Sequence, residues 1–141
     1  MKKLLLLSVV LLLLIACNTK KQVEVAVNSG NYDRAINTAL DKLRKNIAHL
    51  KKDQNPETFR NIYELYLDLD ARQEAIKPIL PLNVNGKNIR FTFNDYSNDI
   101  ISSKTQLSDY LYEKGLNLLE SDDKQTIRQA YSELSYLERI S

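Results

Sequence analysis

The sequence predicts an all-α protein with a small β-hairpin inserted among its helices and a cleaved signal peptide ahead of them. Three observations carry that expectation. Four segments after residue 30 repeat apolar side chains at three- and four-residue steps, the period of an amphipathic helix. Between the second and third of these segments the period drops to two around Asn85-Gly86. The chain also opens on Met1-Lys2-Lys3 and an apolar run that stops at its only cysteine, Cys17. The expected division is a leader over 1–16, a tether over 17–30, and a helical domain over 31–141 with its hairpin at about 82–93.

Leu4 to Ala16 is short for a transmembrane helix, which needs about 20 apolar residues to cross roughly 30 Å of hydrocarbon. It suits the hydrophobic core of a signal peptide, with Lys2 and Lys3 as the charged start. The run ends in Leu14-Ile15-Ala16-Cys17, which resembles the lipobox of bacterial lipoproteins. That resemblance implies cleavage before Cys17 and attachment of a diacylglyceryl group to its thiol. An ordinary signal peptide cut elsewhere is the plainer alternative. One acyl chain holds a protein marginally and two or more hold it stably, at about 0.8 kcal/mol per buried methylene. With Cys17 acylated, no thiol remains for a disulfide, and the fold must rest on packing.

Residues 17–141 are a normal length for one domain with its own core. The whole chain carries 20 basic and 18 acidic residues, but Lys2 and Lys3 leave with the leader, so the remainder is formally neutral. Neutrality argues against nucleic acid as a partner, because phosphate binding needs a basic face. Lys20 and Lys21 in the tether either touch anionic headgroups or simply solvate a linker. Val23-Glu24-Val25-Ala26-Val27 reads equally as a short strand or a helix end. An acidic export signal after the cysteine, as some bacterial lipoprotein groups carry, is not evident, which points to the periplasm.

Ser29-Gly30-Asn31 reads as a turn, with Asn31 as N-cap of the first helix. Tyr32, Ala35, Ile36, Ala39, Leu40, Leu43, Ile47 and Leu50 make its apolar stripe, and Asp33, Arg34, Asp41, Lys42, Arg44 and Lys45 its solvent side. Asn55-Pro56-Glu57 starts the second helix: a capping side chain, proline where no donor is needed, and an acid in the first turn. Phe59, Ile62, Tyr63, Tyr66 and Leu69 form its core face, widened by Leu65 and Leu67. Asp70 is expected to cap a shorter continuation over Ala71–Lys77, which Pro78 and Pro81 end.

Leu82 and Val84 lead into Asn85-Gly86, and Ile89, Phe91 and Phe93 alternate beyond it, a hairpin signal. Two strands alone are marginal in water, so Phe91 and Phe93 are expected to pack on helices, as a brace or as a presented binding edge. The third helix, about Asn98–Glu120, lines one face with Ile100, Lys104, Leu107, Leu111, Gly115 and Leu118. A second stripe holds Tyr112, Leu116 and Leu119, so this helix is expected in a middle layer, or with one stripe open to a partner. Ser121-Asp122-Asp123 caps the fourth helix, whose core face is Ile127, Ala130, Tyr131, Leu134 and Leu137, with Tyr136 and Ile140 pointing elsewhere.

Leu111-Tyr112-Glu113-Lys114-Gly115-Leu116-Asn117-Leu118, a polar turn, and then Ala130, Leu134 and Leu137 resemble a tetratricopeptide repeat (TPR). The turn is longer than that family's, and Leu137 stands where alanine is usual. Gly30-Asn31-Tyr32-Asp33-Arg34-Ala35-Ile36 is similar to the opening of a second TPR helix, and the order of elements resembles TPR-like lipoproteins of Gram-negative bacteria. The resemblance implies stacked antiparallel helical hairpins, each burying a face that no single pair can bury alone.

His49 is the only histidine and falls near the solvent side of the first helix, so no metal or catalytic role is assigned to it. No G-x-S-x-G, P-loop or G-x-G-x-x-G occurs, and Gly30, Gly86 and Gly115 each suit a turn or close packing. Asp68/Asp70, Asp95/Asp99 and Asp122/Asp123 sit where acids favour caps and turns. Asn83-Val84-Asn85-Gly86 lacks the acidic ligands of a calcium loop. No catalytic residue, metal or cofactor is expected.

The expected function is a non-enzymatic protein–protein interaction module of the bacterial envelope. It is held by membrane lipid through acylated Cys17 and faces the periplasm from the outer membrane. Tyr112, Leu116 and Tyr136 are the candidate contacts with another envelope protein, since tyrosine offers contact area with a polar tip. The alternative is a small-ligand or glycan binder that uses the hairpin and a tyrosine-lined surface beside Phe91, Phe93 and Tyr96.

Overall fold

Four α-helices account for most of the chain in the structure, a computed structural model that describes Val25 and residues 32–84, 86–89 and 91–141. The leader 1–16, Cys17, the Ser29-Gly30-Asn31 turn and Asn85 lie outside the described residues. Helix α1 runs Tyr32–Lys52, α2 Phe59–Ile76, α3 Ser97–Leu119 and α4 Lys124–Ile140. The chain divides into two units. One holds the described residues up to Asn46 with Gln73–Phe93, and the other holds Ile47–Arg72 with Asn94–Ser141.

In the first unit, Leu40 is buried on the apolar stripe of α1, with Arg34, Asp41, Lys42 and Lys45 exposed. Helix α2 passes Asp70 without a break, so the expected cap and second short helix are absent. Asp70 is half-buried within a continuous helix, and the chain leaves α geometry only at Ile76, just ahead of Pro78. A 3-10 turn over Lys77–Ile79 follows, where proline costs no hydrogen bond at the first positions.

Strands β1 (Leu82–Val84) and β2 (Lys87–Ile89) then pair antiparallel, with Leu82 opposite Ile89 and Val84 opposite Lys87. Gly86 in the connection has φ of 78°, a conformation that favours glycine. The ladder is shorter than the alternation suggested. Phe91 and Phe93 lie beyond it in irregular chain, half-buried, with Lys77 Nζ 5.8 Å above the Phe93 ring.

The second unit has its own core. Asn55 caps the entry to α2, its Oδ1 accepting from Glu57 N at 3.1 Å, and the first turn, Pro56–Thr58, is 3-10. Ile62, Tyr63, Tyr66 and Leu69 of α2 are buried, as are Leu107 and Leu111 of α3 and Ala130 of α4. Phe59, Ile100, Tyr110, Tyr136, Leu137 and Ile140 pack around Tyr63, Leu107 and Leu111. Tyr136 and Ile140 therefore turn into this core, not away from it as the apolar period of α4 suggested. At the base, Asp123 Oδ2 accepts from Thr126 N at 2.8 Å and starts α4.

Helices α3 and α4 run antiparallel across this short connection. Gly115 lies against Leu134, and farther up Lys104 Nζ donates to the Ser141 carbonyl at 3.3 Å. The fully buried Ala130 keeps the same seam narrow on the α4 side.

Candidate interaction surface

Positions around α3 follow from 3.6 residues per turn. Ser103, Leu107 and Leu111 point into the core, Gly115 points to α4, and Tyr110 and Lys114 point to the start of α2. Around α4, Ala130, Leu134 and Leu137 meet α3, while Glu133, Tyr136 and Ile140 turn to α2. Helix α2 thus covers one face of the α3–α4 pair, and the opposite face has no helix of this unit on it.

That open face is apolar. Tyr112 is 52% exposed, Leu116 42% and Leu119 48% on α3, beside Ile127 at 41% and Tyr131 at 75% on α4. Within this unit the second stripe of α3 faces no helix, so α3 is not a middle layer of the unit, which supplies helices on one side only. Two predicted contact residues, Tyr112 and Leu116, share this face. Tyr136 does not. Its ring lies under the Arg60 guanidinium at 3.9 Å, with Arg139 at 5.3 Å, and its hydroxyl donates to Glu64 Oε1 at 3.0 Å.

Tyr131 was missed. The apolar period assigned it with Ile127 to the core of α4, but it sits past Leu134 on the far side from α2. Its signal in the sequence was the width of that stripe, broader than a helix with neighbours on one side can bury.

On the α2 side a cavity of about 120 Å³ opens among Pro56, Glu57, Arg60, Tyr110, Lys114 and Glu133. Lys114 Nζ bridges Glu57 at 3.0 Å and Glu133 at 3.2 Å, and Arg60 reaches Glu133 at 2.7 Å. Tyr110 donates to Glu57 and meets the Phe59 ring edge-on at 5.9 Å. Burial opposes the Lys114 ammonium, but hydrogen bonds with Glu57, Tyr110 and Glu133 outweigh it and hold the group above its ordinary pKa. Hydrogen bonds from Tyr110 and then Lys114 hold Glu57 below its own. The ammonium thus ties Glu57 and Glu133 together across the helices. The cluster is built as a clamp between helices.

A second polar knot joins α1 to α2 and α3. Lys51 Nζ donates to Tyr66 Oη at 2.7 Å and lies 3.6 Å from Asp99. Tyr66 packs on Tyr96, centroids 6.1 Å apart, so Tyr96 is buried in this unit whereas Phe91 and Phe93 belong to the other. His49 is exposed, 4.0 Å from Asp53. Among the described residues no group of three or more histidine, cysteine or acidic side chains is placed to hold a metal, and no helix is long and apolar enough to cross a membrane. No family model, curated protein or solved structure matches the chain.

Proposed function

We propose that this protein is a lipid-anchored, non-enzymatic interaction module of the bacterial envelope, binding protein through the open face of the α3–α4 hairpin. The observation that carries the reading is the apolar row Tyr112, Leu116, Leu119, Ile127 and Tyr131, left uncovered opposite α2. Large apolar patches on otherwise polar domains mark contact sites. The packing of the pair supports a TPR-like hairpin, since Gly115 and Ala130 sit at the helix crossing where such repeats need small residues. A TPR-like stack normally continues on such a face, and a partner takes the place of the next repeat. The leader ending in Cys17 supplies the address, with the body held at the periplasmic side of the outer membrane.

The test is co-purification of the full chain from detergent-solubilised membranes, wild type against Tyr131→Glu. Recovery of a protein partner by wild type, lost in the variant, supports the reading. Recovery of no protein partner, neither another protein nor a second copy of the chain, overturns it.

A further inference from the structure

The open face carries charge in a pattern that selects its occupant. Along the outer edge of α3, beside Tyr112 and Leu116, stand the exposed acids Asp109 and Glu120. Along the outer edge of α4, beside Tyr131, stand the exposed bases Lys124 and Arg128. Next to the α3–α4 turn the face is therefore an apolar seam with an acidic margin on one helix and a basic margin on the other, while two turns beyond Tyr131 the exposed Glu138 stands on the α4 side.

We propose that the partner seated on this face is a second copy of this chain, related by a two-fold axis parallel to the helices. This rests on the reading of the face as a protein-contact surface. A closed two-fold pair presents the same patch on both sides and must be self-complementary. Two directions of the axis in the plane of the seam keep the helices of the two copies aligned. An axis across the helices sets α3 on α3, acid against acid and base against base. An axis along them sets α3 of one copy on α4 of the other and keeps each residue at its own height. The antiparallel pairing, with Gly115 level with Leu134, puts Glu120 within one residue of the height of Arg128. Glu120 of each copy then meets Arg128 and Lys124 of the other, while the tyrosines and leucines close in the middle.

The size of the face agrees. Its five apolar side chains expose on the order of 500 Å², at the upper end of what monomers leave open. A stable interface needs about 800 Å² per partner, which the charged margins and the ends of both helices complete. Lipid anchoring would confine the copies to one surface and raise their effective concentration, so a modest affinity suffices. Rim charges select register and partner more than they add affinity, while the buried aromatic supplies the strength.

Sedimentation velocity on the full chain in non-denaturing detergent tests this, with helicity checked by circular dichroism for every variant. Wild type is expected to sediment as a dimer. Tyr131→Glu is expected to raise the dissociation constant by about tenfold or more. Glu120→Arg and Arg128→Glu each weaken the dimer, and the double variant, which restores opposite charges across the axis, recovers it. A wild-type monomer at all concentrations overturns the inference. So does a dimer indifferent to Tyr131→Glu, or a double variant weaker than both singles. A monomer that still captures a different envelope protein through Tyr131 overturns self-pairing alone and leaves the interaction-module reading standing. A monomer that captures nothing removes both.

Discussion

Gly115 of α3 and Leu134 of α4 sit so close that a Cβ built on the glycine would lie 2.5 Å from Leu134 Cδ2 and 2.7 Å from its Cγ. The helices approach at this point because one of them has no side chain there. Alanine in a helix normally gains about 1 kcal/mol over glycine, whereas overpacking costs about 1–3 kcal/mol. Because Cγ as well as a terminal methyl is in the way, the clash wins. Gly115→Ala is expected to lower stability by about 1 kcal/mol in urea denaturation. Leu134→Ala alone costs about 2 kcal/mol through the cavity it leaves. The double variant should lose less than the two combined, since each change relieves the other. Strict additivity would mean that these residues do not share the crossing.

Lys114 is the hub of the clamp between α2, α3 and α4. Its side chain is 19% exposed and that of Glu133 14%, so neither charge is well solvated without its partner. Lys114→Met keeps the stem and removes the ammonium, leaving Glu133 to Arg60 alone. The expected loss is about 2 kcal/mol, below that of a fully buried pair because Arg60 remains. Lys114→Met with Glu133→Gln should be more stable than Lys114→Met. A chemical melt in which the double variant is the weaker would remove the clamp from the account.

The same cluster sets the direction of pH dependence. Glu57 is held below its ordinary pKa, chiefly by Tyr110 and then Lys114, so it contributes stability that is full above about pH 4.5 and is lost as pH falls through its folded value. Lys114 is held above its ordinary value, so its contribution is full below about pH 10.5 and is lost as pH rises towards its folded pKa. Stability should therefore be flat through neutrality and fall at both ends. Glu57→Gln should flatten the acid limb specifically, read as a smaller shift in denaturation midpoint between pH 6 and pH 3. An acid limb unchanged in that variant would assign the loss to other carboxylates.

Arg60 performs two tasks with one planar group, a 2.7 Å bond to Glu133 and a stack 3.9 Å from the Tyr136 ring centroid. Lysine keeps the charge but cannot present a flat face and a directed donor together. Arg60→Lys is expected to cost about 1 kcal/mol and to restore mobility to the Tyr136 ring. Ring-flip rates measured by NMR check this, and an unchanged rate would show that Glu64 alone holds the tyrosine.

Local signals of the fold were legible and long-range ones were not. The caps at Asn55 and Asp123 and the stripe Phe59, Ile62, Tyr63, Tyr66 and Leu69 each depend on residues within a few positions, and the periodicity states them directly. Asp70 misled because an acid in mid-helix looks like a cap when its neighbours are unknown, and here the helix simply continues. Tyr136 and Tyr131 exchanged roles for one reason. Which side of α4 is buried depends on where α2 lies, and their contacts, Arg60 to Glu133 and Glu64 to Tyr136, span 73 and 72 positions of sequence. The Glu57–Lys114–Glu133–Arg60 cluster is likewise drawn from three elements, and no spacing announces it.

The proposed anchor makes the last prediction. Cys17 follows an apolar stretch short for a bilayer span, so the proposed attachment rests on acyl chains at its sulfur, at about 0.8 kcal/mol per buried methylene. Cells expressing the full chain and fed an alkyne-tagged fatty acid should label the wild type and not Cys17→Ser. The variant should also keep its leader and migrate as the heavier species, because removal of residues 1–16 requires the modified cysteine. The helical body carries no other thiol, so its circular dichroism should not change. An unlabelled wild type, or one whose mature chain begins at a residue other than Cys17, would detach this protein from the membrane while leaving the α3–α4 face to be explained in solution.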